Sequence, residues 1–174
     1  MKNFFLFTCL VLFSTKSWTQ EWVWGIKAAG DYQSSEETEI NVDNEGNIVI
    51  AGYYQKSLAI DTFSLYTEDD YYSDIYLCRI NRDKKVEWLK HIEAGASYSY
   101  YIGLTQDDDK NIYLTGANDY CIFISKFDSS GNLLWNNDFK GDFYGYGREI
   151  ALDQFDNVYF VGGKGSDFFI AKLD

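Results

Sequence analysis

Apolar and polar residues alternate along this chain in short runs, and the runs recur in a fixed order. Ile40 and Val42, Ile102 and Leu104, and Ile150 and Leu152 are spaced by two, each pair just ahead of an aspartate. A period of two puts such residues on one face of a strand. Three segments follow these pairs, Asp43 to Gly52, Asp107 to Gly116 and Asp153 to Gly162. Each opens on Asp, carries Asn four residues on and closes on Gly nine residues on. The Asp-x-x-x-Asn part supplies turn chemistry, because Asp and Asn cap turns through their own side chains and tolerate left-handed backbone. The part ending in Gly reads as a second strand. Ile75 to Cys78, Ile122 to Ile124 and Phe168 to Ala171 read as a third, and the runs around Trp24, Trp88 and Trp135 as a fourth.

The spacings over-determine this register. Trp24, Trp88 and Trp135 precede their aspartates by 19, 19 and 18 residues, and Arg79 and Lys126 each precede a Trp by nine. Lys126 and Lys172 stand ten residues beyond Gly116 and Gly162, whereas Arg79 stands 27 beyond Gly52. The first unit therefore carries an insertion, with the pattern of an extra hairpin over Leu58–Asp61 and Thr62–Leu65. Trp22 competes with Trp24 as the first landmark, since it places Ile26 four residues on, as Ile92 follows Trp88 and Phe139 follows Trp135. Asp128 to Asn132 reads as a tight hairpin loop between third and fourth strands. Four short strands in a unit of about 45 residues are the signature of a β-propeller blade. The expected fold is all-β, with blades of four antiparallel strands, about three blades and hence a partial or open propeller. The blade repeats run over approximately 22–87, 88–134 and 135–174.

The pattern Asp-x-x-Gly-Asn-x-Tyr-x-x-Gly, then Asp-x-Phe-x-x-Lys-x-Asp, then Ser-Gly-Asn-x-x-Trp resembles the bacterial SBBP-type β-propeller repeat of exported proteins. Asp167 to Asp174 and Lys126 to Trp135 match it closely, and the likeness covers essentially residues 22 to 174. Lys110 and Asp156 depart from Gly46, Lys84 from Gly131, and Cys121 from Asp74 and Asp167; these departures are expected to weaken single turns without moving a landmark. The resemblance implies a secreted repeat scaffold and no particular activity.

Residues 1 to 19 have the order of a secretory signal: Lys2, an apolar run from Phe4 to Phe13, then Ser17-Trp18-Thr19 at the exit. That run is too short to span a bilayer. Cleavage after Thr19 leaves residues 20 to 174 as the repeat domain, and the expected location is secreted or at the cell surface of a bacterium. Composition agrees with strands: 19% aromatic residues and no proline. The formal net charge of -12 repels polyphosphate and anionic headgroups, so nucleic acid and acidic membranes are poor partners. Cys78 and Cys121 fall at different places in the repeat and read as free thiols.

Catalytic and metal chemistry have little support in these residues. Asp107-Asp108-Asp109 with Asp153 and Asp156 lack the glycine and glutamate of a calcium loop. His91 is the single histidine, with Asp138 as its counterpart in the last unit, which gives neither a Ser-His-Asp set nor a metal site. Gly145-Tyr146-Gly147 lacks the third glycine of a phosphate loop. The paired acids Glu36-Glu37 and Asp69-Asp70 are weak signals in so acidic a chain. No cofactor, metal or catalytic residue is assigned. Tyrosine-rich loops make rigid amphipathic contact surfaces, so Tyr53, Tyr54, Tyr71, Tyr72, Tyr100, Tyr144 and Tyr146 are the candidate ligand-binding residues. The reading is a non-enzymatic binding or assembly module for an extracellular glycan or protein, with a polysaccharide-acting hydrolase or lyase as the alternative. Because the chain stops at a repeat boundary, truncation of a longer propeller is one expectation. If the chain is complete, the other is a two-fold pair in which the Trp24 strand of one copy lies beside Phe168 to Lys172 of the next.

Overall fold

The computed structural model describes residues 21, 23–31, 38–67, 71–96, 101–118, 121–139 and 145–173. Residues 1–20, on which the expected secretory signal falls, and Trp22, Glu36-Glu37, Asp69-Asp70, Tyr100 and Tyr144 lie outside the described residues. The described chain is all-β, with fourteen strands in four antiparallel sheets of three or four strands. Sheet I holds β2 (Thr38–Val42), β3 (Ile48–Tyr54), β6 (Ser73–Ile80) and β7 (Val86–Ala96), in that order. Sheet II holds β8 (Gly103–Gln106), β9 (Ile112–Asn118), β10 (Cys121–Phe127) and β11 (Leu133–Phe139). Sheet III holds β12 (Gly145–Leu152), β13 (Val158–Lys164) and β14 (Asp167–Leu173). A small cap sheet joins β1 (Ala28–Asp31) to the inserted hairpin, β4 (Ser57–Ile60) and β5 (Phe63–Tyr66). The hairpin of the long first unit is thus present, within a residue of its expected bounds.

Each landmark of the repeat has a local physical cause. Asp43, Asp107, Asp128 and Asp153 accept a hydrogen bond from the backbone N–H of the residue four positions on, always Asn, at 2.8–3.0 Å. The same Asn donates its side-chain amide back to the carboxylate at 2.8–2.9 Å, closing the turn twice. One residue in each turn must then take a left-handed backbone: Gly46, Lys110, Gly131 and Asp156, and Lys84 in the Asn81 turn. The departures from glycine therefore leave the turn geometry intact, with φ between 60° and 68° at the three non-glycine residues. Gly52, Gly116 and Gly162 pair across to Tyr76, Phe123 and Phe169. A Cβ on Gly116 or Gly162 would run into that neighbouring ring, which lies over the bare backbone. Arg79 and Lys126 pair across to Trp88 and Trp135, and a register shift follows directly after each basic residue in both sheets.

The sheets stack face to face, and alternation along each strand divides the apolar residues between two faces. The trailing face of sheet I (Val49, Tyr53, Ile75, Leu77) buries itself against the leading face of sheet II (Ile102, Leu104, Ile112, Leu114, Phe123). The trailing face of sheet II (Tyr113, Ile122, Ile124) does the same against Ile150, Val158 and Phe160 of sheet III. Trp88 packs partly buried on the first of these cores and Trp135 on the second. Tyr53 crosses the first interface, its hydroxyl donating to the Ala117 carbonyl and accepting from the Ala117 N–H, both at 3.1 Å.

Two expectations fail at the start of the chain. Trp24 stands in no strand, is 39% exposed, and has the Lys84 ammonium 6.0 Å from its ring. The strand after it, β1, pairs with β4. Trp88 and Trp135 reach their places by a hairpin from a third strand of their own sheet, and among the described residues no such strand precedes Trp24. Most of the leading face of sheet I is also covered, since Leu58, Ile60, Phe63 and Leu65 of the cap hairpin, together with Ile26, pack on Ile48, Ile50, Tyr76, Cys78 and Ile80. A stack with two bare faces was expected; the cap closes most of one and leaves Ile40 and Val42 on its edge strand β2 59% and 57% exposed.

Candidate functional site: a groove between sheets I and II

The repeated polar landmarks are occupied structurally. Asp43 and Asp107 are buried, their side chains 6% and 4% exposed, and the basic residue of the third strand neutralises them. Arg79 Nη2 lies 3.5 Å from Asp43, and Lys126 Nζ lies 3.3 Å from Asp107. Burial pushes both carboxyl groups up, but the hydrogen bonds from Asn47 and Asn111 and the neighbouring cation together hold them below the ordinary carboxylate range. Lys172 of sheet III lies over the Tyr159 ring at 5.7 Å.

The candidate tyrosines separate sharply. Tyr53 and Tyr54 are wholly buried, which corrects the expectation that they belong to a contact surface: they alternate onto the two packed faces of β3. Tyr71 and Tyr72 are exposed, and Tyr146 is half-buried with its ring 5.0 Å from that of Tyr101. Burial, reinforced by the Asp74 charge, pushes the Tyr54 hydroxyl up to about 12. That hydroxyl meets His91 Nδ1 at 2.8 Å, and His91 Nε2 lies 3.4 Å from Asp74 Oδ2. Asp74 Oδ1 in turn accepts from the N–H groups of Ala94 and Gly95 at 2.9 and 3.1 Å. Both nitrogens of the single histidine are engaged in pinning the end of β7, a connected set that spacing alone did not suggest.

Between β7 and strands β9 to β11 of sheet II runs a groove of two adjoining pockets, about 380 and 700 Å³, which share Glu93 and Asn118. The smaller has an apolar floor of Ile75, Phe123 and Phe127, with Lys90 and His91 on one wall and Ser125 and Asn136 on the other. The larger adds Tyr72, Cys121 and Asp138. A polar ladder stiffens the sheet II wall: Asn118 Nδ2 and Asn136 Nδ2 both donate to Asp138 Oδ1, at 3.2 and 2.9 Å, and Ser125 Oγ donates to Asn136 at 2.7 Å. Of the candidate tyrosines only Tyr72 lines this groove. Asn118, Ser125, Asn136 and Asp138 belong to no motif; Asn136 and Asp138 alternate on β11, an edge strand of sheet II, which is the one signal of that pair, and Asn118 on β9 and Ser125 on β10 carry none.

Cys78 is buried, which pushes its thiol up to about 12, and Cys121 is half-buried; both are free. Among the described residues no group of three or more His, Cys, Asp or Glu side chains is arranged to hold a metal ion, and no helix is long and apolar enough to cross a membrane. No protein-family model matches the chain, and no curated protein is significantly similar to it.

Proposed function

We propose that residues 20–174 are a run of β-propeller-type blades, similar to the exported SBBP-type repeat, acting outside the cell as a non-enzymatic binding module. The observation that carries this reading is the groove between sheets I and II. It joins an apolar and aromatic floor to a preordered ladder of amides and a carboxylate, the composition of a site that orients a ligand through a few polar groups. Amide and carboxylate side chains in fixed positions suit vicinal hydroxyl groups, and Tyr72 offers a flat surface at the rim. A neutral oligosaccharide is therefore the ligand class to try first.

Glycan-array binding by the mature chain is the direct test. Asn136→Ala and Tyr72→Ala are expected to weaken binding at least tenfold with little change in melting temperature; binding that survives both substitutions places the ligand elsewhere. A second reading, a polysaccharide hydrolase, draws on Glu93 and Asp138 lining one pocket. Reducing-sugar release that disappears in Glu93→Gln or Asp138→Asn would favour it over simple binding. Export is checked separately, by N-terminal sequencing of the secreted product, with Gln20 as the expected first residue.

A further inference from the structure

Beside the groove, the ladder between β6 and β7 slips by two. Ile75 pairs with Ile92 and Ser73 with Ala96, so three residues of β7, Glu93, Ala94 and Gly95, stand opposite Asp74 alone. A bulge takes its backbone out of the ladder, and the N–H groups left over need another acceptor. One carboxylate oxygen supplies it, since Asp74 Oδ1 accepts from Ala94 and Gly95 at 2.9 and 3.1 Å. Gly95 completes the bend in the left-handed region, at φ 58°. All three bulge residues line the larger pocket, and Glu93 borders the smaller one as well. The backbone where the two pockets join is therefore held by a side chain that lines neither.

Asp74 is itself fixed from behind. Ile75 packs on the core between sheets I and II, so alternation puts Asp74 on the opposite face of sheet I. There it is buried, its Oδ2 meets His91 Nε2 at 3.4 Å, and His91 Nδ1 meets the Tyr54 hydroxyl at 2.8 Å. Tyr54 belongs to the core beneath the cap. Strand pairing makes Cys121 the equivalent in sheet II, opposite Asn118 as Asp74 is opposite Tyr54. A thiol is a weak acceptor and cannot take two N–H groups as a carboxylate does. Sheet II has no such bulge, for β10 and β11 pair in step from Lys126 to Ile122. Carboxylate and bulge thus occur together, in the sheet whose last strand walls the groove.

We propose that Asp74 is a positioning residue of the groove, holding the bulge at 93–95 in the form that an oligosaccharide meets. The role rests on the reading of the groove as a glycan site, and the test separates the two. Amide hydrogen exchange followed by NMR needs no ligand. The Ala94 and Gly95 N–H groups are expected to be protected in the mature chain and to exchange at least about tenfold faster in Asp74→Ala. Asp74→Asn should restore protection, because its side-chain oxygen still accepts both bonds while the His91 proton moves to Nδ1 and leaves Nε2 to accept from the new amide. The neutral oligosaccharide bound most tightly on the glycan array is then titrated into each variant. Asp74→Ala is expected to weaken it at least about tenfold and Asp74→Asn no more than about threefold. Ile60→Ser, which loosens the cap and lies outside the groove, should leave affinity within about threefold. Asp74→Ser, too short to reach both N–H groups, is read in the same way if Asp74→Ala does not fold. Amides indifferent to loss of the carboxylate, affinity indifferent to it, or an equal loss in Ile60→Ser would each overturn the positioning role and leave the glycan site standing. A mature chain that binds no oligosaccharide would overturn the glycan site, and the role with it.

Discussion

At the scale of single residues, the positive-φ positions give the cleanest energetic contrast. Lys84 adopts φ 68° and Gly131, at the matching place in sheet II, φ 76°. A side chain in this region costs on the order of 1 kcal/mol, of which glycine recovers part after its larger loss of chain entropy. Lys84→Gly is therefore expected to raise the melting temperature by about 1–2 °C. The reverse change, Gly131→Ala, should cost about 1–2 kcal/mol, because the backbone strain is joined by a Cβ placed 3.1 Å from Trp88 and Lys90. Thermal unfolding of both variants checks the pair; equal and opposite shifts of negligible size would mean that the turns relax freely. The turn carboxylates give a sign for pH. Asp43 and Asp107 have lowered values in the folded chain, so the unfolded chain takes up protons first as acid is added. Their stabilisation is complete above the ordinary carboxylate value of 3.8 and is lost as pH falls through the lower folded values. Asp107→Asn is expected to lower stability by about 1–2 kcal/mol at pH 7 and to flatten the decline between about pH 5 and 2, measured by urea titration at each pH.

At the scale of elements, a clear division separates what the amino-acid order announces from what it conceals. Asp, Asn, Gly, the basic residue and Trp were legible as landmarks because each acts on a neighbour a fixed few positions away, through a turn or across a hairpin. Trp24 kept the same 19-residue interval to its aspartate, yet that interval measures the distance to the next sheet and says nothing of the strand Trp24 must pair with. The pairing of β1 with β4 is non-local and obeys edge availability: β4 has a free side once the inserted hairpin forms, and β1 takes it. The groove was hidden for a related reason, since its lining comes from β7 in one sheet and β9 to β11 in the next, and no spacing rule links them. The cap has a measurable consequence. Leu58 and Ile60 are 2% and 4% exposed where they close the leading face of sheet I. Ile60→Ser should cost about 2–4 kcal/mol and increase binding of an apolar dye, whereas Tyr66→Ser on the outward side of β5, 74% exposed, should do neither.

At the scale of the whole molecule, stacked sheets divide stability into contributions from each sheet and from each interface between neighbours. Sheet II has packed faces on both sides and sheet I has a neighbour and the cap, but sheet III has one packed face and three strands among the described residues. Its third strand alternates half-buried and exposed positions, while β6, the third strand of sheet I, is buried at every position. The stack should therefore open from its trailing end. Hydrogen exchange at concentrations where the chain is monomeric is expected to show β14 exchanging first, β13 next, and β3, β6 and β9 only on global unfolding. Phe160→Ala, which removes a ring from the core between sheets II and III, should accelerate exchange in β12 to β14 and leave β3 and β6 within about a factor of three. Protection lost uniformly from all three sheets would mean that the interfaces couple the stack into one cooperative unit, and the landmark turns would then be features of a single fold and not of separable repeats.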